Sequence, residues 1–127
     1  MNIVRIIIAV MGMIFLGCDP VFAENVYRTT YGDVISKVDN EDGFLGYYDS
    51  YPKGFIYLEN HGDGNYLGYW AQASSEQRCS YARRGRGYSM TPFWGRLEVQ
   101  ADGTGTFAGK WSYCDKNPSQ PWDGRLK

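Results

Sequence analysis

One five-residue phrase recurs five times along this chain: an aromatic ring, any residue, glycine, any residue, then a ring or leucine. The copies are Phe44-Leu45-Gly46-Tyr47-Tyr48, Tyr66-Leu67-Gly68-Tyr69-Trp70, Phe93-Trp94-Gly95-Arg96-Leu97, Phe107-Ala108-Gly109-Lys110-Trp111 and Trp122-Asp123-Gly124-Arg125-Leu126. In an extended strand, residues two apart share a face, so each copy sets ring, glycine and bulky end on one side. Glycine inside a strand costs roughly 0.5–1 kcal/mol against alanine. Five repeats of that cost in one frame call for a geometric reason. The missing side chain permits sharp coiling, and a neighbouring ring can cover the bare backbone. The phrase predicts a curved sheet with an aromatic inner face.

The rest of the chain agrees with strands. No stretch carries helical periodicity, and apolar residues alternate or cluster in short runs bounded by turn residues. Turns are expected at Asp39-Asn40-Glu41-Asp42-Gly43, Pro52-Lys53-Gly54, Gly62-Asp63-Gly64-Asn65 and Asp102-Gly103-Thr104-Gly105. Strands are expected over 46–51, 55–59, 96–100 and 106–113, with a weakly alternating segment at Val34–Val38. Six or seven short strands joined by tight turns make an all-β domain, a small antiparallel meander closed or nearly closed into a β-barrel. Phe44, Tyr48, Tyr66, Trp70, Phe107 and Trp111 should face its interior, and Tyr47, Tyr69 and Trp94 should point outward. Outward rings suit sugar stacking or a protein contact, or else lie under a second layer.

The first 23 residues stand apart. Arg5 precedes an unbroken apolar run from Ile6 to Gly17, too short for a bilayer span of about 20 residues. With Pro20 and the small-residue site Val21-Phe22-Ala23, residues 1–23 read as an export signal, leaving 24–127 as one domain with a modest core. A rival reading takes Phe15-Leu16-Gly17-Cys18 as a lipobox, with Cys18 acylated and the protein lipid-anchored in the envelope. Either way the expected location is periplasmic or secreted, and Cys79 and Cys114 are the two thiols left. In an oxidising compartment they are expected to pair, closing a loop worth about 4 kcal/mol on the chain-entropy model. Two unpaired buried thiols are the alternative.

The net charge is −1, and the removal of Arg5 and Asp19 leaves it unchanged. That balance lacks the strongly basic footprint of a nucleic-acid binder. One histidine and no CxxC pair argue against zinc. The acidic turns miss the ligand spacing of a calcium loop. No cofactor is expected.

Two resemblances accompany these residues. Gly68-Tyr69-Trp70-Ala71-Gln72, Arg78-Cys79, Trp94-Gly95-Arg96, Gly109-Lys110-Trp111-Ser112-Tyr113-Cys114-Asp115 and Trp122-Asp123-Gly124 together resemble small exported bacterial β domains of uncharacterised role. That likeness covers about half of residues 24–127 and implies export and a β fold, with no activity. The repeated phrase is also similar to strands of the avidin type of barrel. This is a likeness of packing, unaccompanied by the order of biotin-contacting residues, and no site is carried over.

Catalytic chemistry finds little to build on. His61 lies in the turn sequence Glu59-Asn60-His61-Gly62-Asp63-Gly64, and no serine sits in a GxSxG setting. Glu59 and Glu98 read as solvated strand residues. The densest charge cluster falls in the long connection between residues 71 and 92, where Arg78, Arg83, Arg84 and Arg86 alternate with Tyr81 and Tyr88. Connections of that length are usually functional or disordered, and a Cys79–Cys114 bridge would tether this one. The leading expectation is an exported, non-enzymatic binding module of the cell envelope, an inhibitor or immunity protein being one form of it. Its partner is a protein or a glycan, engaged through Arg78, Tyr81, Arg83, Arg84, Arg86 and Tyr88. The alternative is a barrel binding a small molecule or carbohydrate against Trp70, Trp94 and Trp111. A hydrolase ranks third. Membrane contact is expected only through a lipidated Cys18.

Overall fold

The computed structural model describes residues 25–48, 54–86 and 89–127. The expected export signal, Cys18, the turn residues Pro52 and Lys53, and Tyr88 lie outside the described residues. Ten strands are present among the described residues: β1 (Val26–Thr29), β2 (Gly32–Asn40), β3 (Gly43–Tyr48), β4 (Phe55–Asn60), β5 (Asn65–Gln72), β6 (Arg83–Arg84), β7 (Met90–Thr91), β8 (Phe93–Ala101), β9 (Thr106–Trp111) and β10 (Gln120–Leu126). Eight of them form a closed antiparallel barrel in the order β1-β10-β9-β8-β5-β4-β3-β2. Chain order equals barrel order once the small β6–β7 hairpin is set aside, so the barrel is a simple meander. Pairing of β1 with both β2 and β10 closes it, from Val26↔Ile35 on one side to Tyr27↔Leu126 on the other.

The sequence points to six or seven strands, and the barrel has eight. The difference lies in the first hairpin. β1 turns into β2 through Thr30 and Tyr31, where the hydroxyl of Thr29 donates to the Gly32 carbonyl at 2.6 Å and accepts from the Tyr31 amide at 3.2 Å. A threonine side chain thus does the local bonding that an Asn-Gly or Asp-Gly pair would announce. The expected turns at Asp39–Gly43, Gly62–Asn65 and Asp102–Gly105 are present, the first shortened because β2 runs through Asn40, and each is held by an Asn or Asp side chain accepting a backbone amide two residues on.

Every ring expected inside is inside. Tyr48 and Trp70 are buried in the barrel core with Val34, Ile56, Leu58, Leu97, Val99 and Trp122, and Phe44, Tyr66, Phe107 and Trp111 pack against them. The mid-strand glycines carry the coiling. At Gly95, paired with Trp70 on β5, an added Cβ would overlap the Ser112 carbonyl oxygen and the Trp70 indole. At Gly124, paired with Phe107, it would meet the Phe107 ring at 2.6 Å. Rings therefore lie on the glycine backbone across the strand pairs, and the phrase encodes a contact.

A second apolar layer sits outside the barrel. Phe55, Ala71, Cys79 and Trp94 are buried together, with Leu45, Tyr47, Tyr69 and Cys114 against them. Leu45, Tyr47, Phe55, Tyr69, Ala71 and Trp94 occupy the outward phase of β3, β4, β5 and β8, and what covers them is the connection that leaves β5 and returns at β8. Cys79 and Cys114 are joined in a disulfide with Cα atoms 5.5 Å apart. The Cys79 amide donates to the Pro92 carbonyl at 2.8 Å and the Cys114 amide to the Trp94 carbonyl at 2.9 Å. The long connection is a strap stapled to the wall.

Candidate binding site

The strap shows where the expected arginine surface goes. The Arg83 guanidinium carbon lies 4.8 Å from the Tyr69 ring centroid and 4.6 Å from that of Trp94, and Arg83 Nε is buried there with no hydrogen-bond acceptor among the described residues. Arg86 stacks on Tyr47 at 4.4 Å and Arg78 on Phe93 at 5.8 Å. The Tyr81 hydroxyl donates to the Asp115 carboxylate at 3.1 Å, and the Tyr81 carbonyl accepts the Trp94 indole N–H at 2.8 Å. The carbonyl of Arg84 accepts the Tyr69 hydroxyl at 3.1 Å. Three of the four arginines thus spend their planar faces on the protein's own rings, where cation–π attraction and stem packing hold the strap down.

The outward rings lie under this second layer. Trp94 is 0% exposed, sealed beneath Tyr81 and Arg83. It does not join Trp70 and Trp111, which face the opposite side of the wall. Of the three tryptophans expected around a ligand, two share one cavity.

That cavity opens at the barrel end carrying the β1–β2 turn. It measures about 340 Å³, and its walls include Tyr31, Trp70, Trp111, Tyr113 and Glu76, with Trp122 also lining it. A second cavity of about 310 Å³ opens at the other end, among Tyr27, Phe44, Tyr66, Phe107 and Asp39, and Trp122 lines it too. An eight-stranded barrel is wide enough to be filled by side chains or to hold one small ligand. Here Trp122, only 3% exposed, lies between two open ends.

The four indoles differ in one respect. Trp70 Nε1 donates to the Ser112 carbonyl at 3.0 Å, Trp94 Nε1 to Tyr81, and Trp111 Nε1 to the Tyr31 hydroxyl at 3.2 Å. Trp122 Nε1 is buried with no acceptor among the described residues, as is Arg83 Nε in the outer layer. A buried N–H without a partner costs on the order of 1–3 kcal/mol.

The first mouth is polar only at its rim. Gln72, Ser75 and Glu76 lie there, and Glu76 is the one ionisable carboxylate among the described lining residues. Burial first, and then the negative charge of Glu76, push Tyr113 above the usual tyrosine range. In the second mouth the Tyr27 hydroxyl donates to Asp39 at 2.5 Å, and burial together with that carboxylate raises Tyr27 strongly.

The other candidates stay apart. His61 is exposed in its turn, with Nε2 3.9 Å from the Glu59 carboxylate, at the end of the barrel opposite the first mouth. Glu98 lies on the outward phase between buried Leu97 and Val99. Among the described residues no three His, Cys, Asp or Glu side chains gather as metal ligands do. Sequence reasoning missed Tyr31, Glu76, Tyr113 and Trp122 as wall residues. Trp122 carries a signal, as the first ring of the fifth phrase. Tyr31, Glu76 and Tyr113 sit in connections, whose placement follows from barrel closure and the disulfide. Compared with known proteins, the chain matches no family model, no curated protein and no solved structure.

Proposed function

We propose that this domain is a non-enzymatic binding module that takes a small molecule into the barrel mouth beside the β1–β2 turn. One observation carries the reading: a ring-walled cavity of about 340 Å³ is lined in part by Trp122, whose buried indole N–H has no acceptor among the described residues. Concave, mostly apolar sites with a few placed polar groups are where small ligands bind. An acceptor atom on the ligand would satisfy Trp122. The disulfide suits an oxidising compartment, and the module's proposed place is the periplasm or the medium.

The test is intrinsic tryptophan fluorescence of the oxidised chain, titrated with oligosaccharides, small amphiphiles and small polar organics. A saturable change is expected for one of these classes, weakened about fivefold in Trp122→Phe, which keeps a ring and removes the donor. Silence across all three classes would end the reading.

A second reading, capture of a partner protein, draws support from the outer wall. Tyr57 is 37% exposed and Leu67 42% exposed, beside a groove that also holds Arg83 and Arg96. Tyrosine and arginine are among the residue types that carry protein interfaces. Leu67→Asp should abolish capture of a protein partner from envelope extract on this reading, and unaltered capture would count against it.

A further inference from the structure

The ring geometry in the first mouth specifies a ligand charge. Trp70 and Trp111 stand at 86° with centroids 5.9 Å apart, Trp70 and Tyr113 at 76° and 5.9 Å, Trp111 and Tyr113 at 83° and 5.0 Å. All three rings line the same cavity. The three rings meet edge to face around the cavity they share. A cation held in that cavity would lie near more than one ring, and cation–π attraction reaches to roughly 6 Å. Tyr31 adds a fourth ring, 84° to Trp111 at 6.0 Å.

The indole donors of two of these rings are already occupied, that of Trp70 by the Ser112 carbonyl and that of Trp111 by the Tyr31 hydroxyl. A ligand that touches a ring face there meets the negative side of the ring quadrupole. The sign of the rim agrees: Glu76 is the only charged side chain among the described lining residues. Anionic ligands would meet repulsion and no donor cation there. A sugar would need a ring of polar partners whose places are taken by Trp70, Trp111 and Tyr113.

Resting on the small-molecule reading above, we infer that the first mouth is an aromatic cage for a quaternary ammonium head group, with Trp70, Trp111 and Tyr113 as its walls and Glu76 as its counter-charge. Compact methylated cations suit such cages because they shed water cheaply and present a diffuse positive surface to the rings. A choline-type molecule also carries a neutral oxygen that can accept from an indole N–H.

The deciding experiment is calorimetric titration of the oxidised full-length chain with choline and, separately, with 3,3-dimethylbutan-1-ol, its uncharged isostere. Choline is expected to bind at least tenfold tighter, and Glu76→Gln to weaken choline several-fold while leaving the alcohol unchanged. Glu76 is exposed, so this variant keeps the fold. Trp111→Leu should abolish choline binding, with far-ultraviolet dichroism confirming that the barrel persists. Equal or tighter binding of the alcohol overturns the cage and leaves the small-molecule reading standing. An unaltered choline affinity in Glu76→Gln overturns the counter-charge and with it the proposal. Failure of both probes to saturate overturns the cage, and the fluorescence panel then decides the broader reading by itself.

Discussion

The Trp70 indole lies against the backbone of Gly95, its partner across the β5–β8 pair, and from there donates Nε1–H to the Ser112 carbonyl at 3.0 Å. One glycine thus admits the ring, the ring reaches the segment after β9, and that segment carries Tyr113 and Cys114. Sheet curvature, the cavity wall and the disulfide anchor meet at this point. Gly95→Ala should therefore cost about 3 kcal/mol or more, combining overpacking with the loss of a buried hydrogen bond. Gly46→Ala should cost less, because its nearest neighbour is the Phe44 ring at 2.8 Å, which can shift. Urea denaturation of both variants checks the ranking, and equal midpoints would refute the role of Gly95.

Reduction of the Cys79–Cys114 bridge, or its replacement by Cys79→Ser with Cys114→Ser, should lower stability by about 4 kcal/mol. The loss should appear first as opening of the strap, because the bridge joins the strap to the segment after β9. Hydrogen exchange at the Cys79 and Cys114 amides, bonded to Pro92 and Trp94, reports that opening. Unchanged protection at both amides would contradict it.

Arg83→Ala should uncover Trp94 and cost about 1 kcal/mol through lost cation–π contact and stem packing. Acrylamide quenching should increase for one tryptophan of the four. Arg83→Lys should not restore protection, since an ammonium lacks the flat face that lies between Tyr69 and Trp94. An unchanged quenching profile in Arg83→Ala would mean that the stack does not seal the layer.

Tyr27 supplies a pH signature. Burial, then its hydrogen bond to Asp39 and that carboxylate's charge, raise its hydroxyl well above the usual tyrosine range. The folded state holds this proton more tightly than the unfolded chain. The stabilisation is complete below the ordinary tyrosine pKa and is lost as pH rises beyond it. Stability of Tyr27→Phe should fall less steeply with alkaline pH than that of the parent chain, while starting lower at neutral pH. Parallel curves in chemical denaturation at increasing pH would refute this.

The barrel was legible because its phrase is a direct record of geometry: ring and glycine alternate in the period of a strand, and the inside rings follow. Two features escaped that rule for physical reasons. β2 carries a bulge at Lys37, between the pairs Ser36↔Gly46 and Val38↔Leu45. The extra residue reverses the alternation, so Val38 is 44% exposed and Asp39 turns into the second mouth to accept Tyr27. A bulge of this kind leaves no mark in a run of mixed residues. The arginine cluster escaped differently. Its composition is that of a solvated binding loop, and only the disulfide and the outward rings show that Arg83 and Arg86 fold back on Tyr69, Trp94 and Tyr47. The cavity wall was half legible, in Trp70 and Trp111. Tyr113 and Glu76 arrive there from connections whose course depends on closure of the whole barrel.

The most direct test is to follow the four tryptophan indole N–H signals of the isotope-labelled, oxidised chain by nuclear magnetic resonance during titration with choline and with 3,3-dimethylbutan-1-ol. A molecule entering the mouth should shift the Trp70, Trp111 and Trp122 signals in one saturable process, with the Trp94 signal stationary beneath its strap. Movement of Trp94 alone, or three inner signals that ignore both probes, would contradict an ammonium cage in the first mouth.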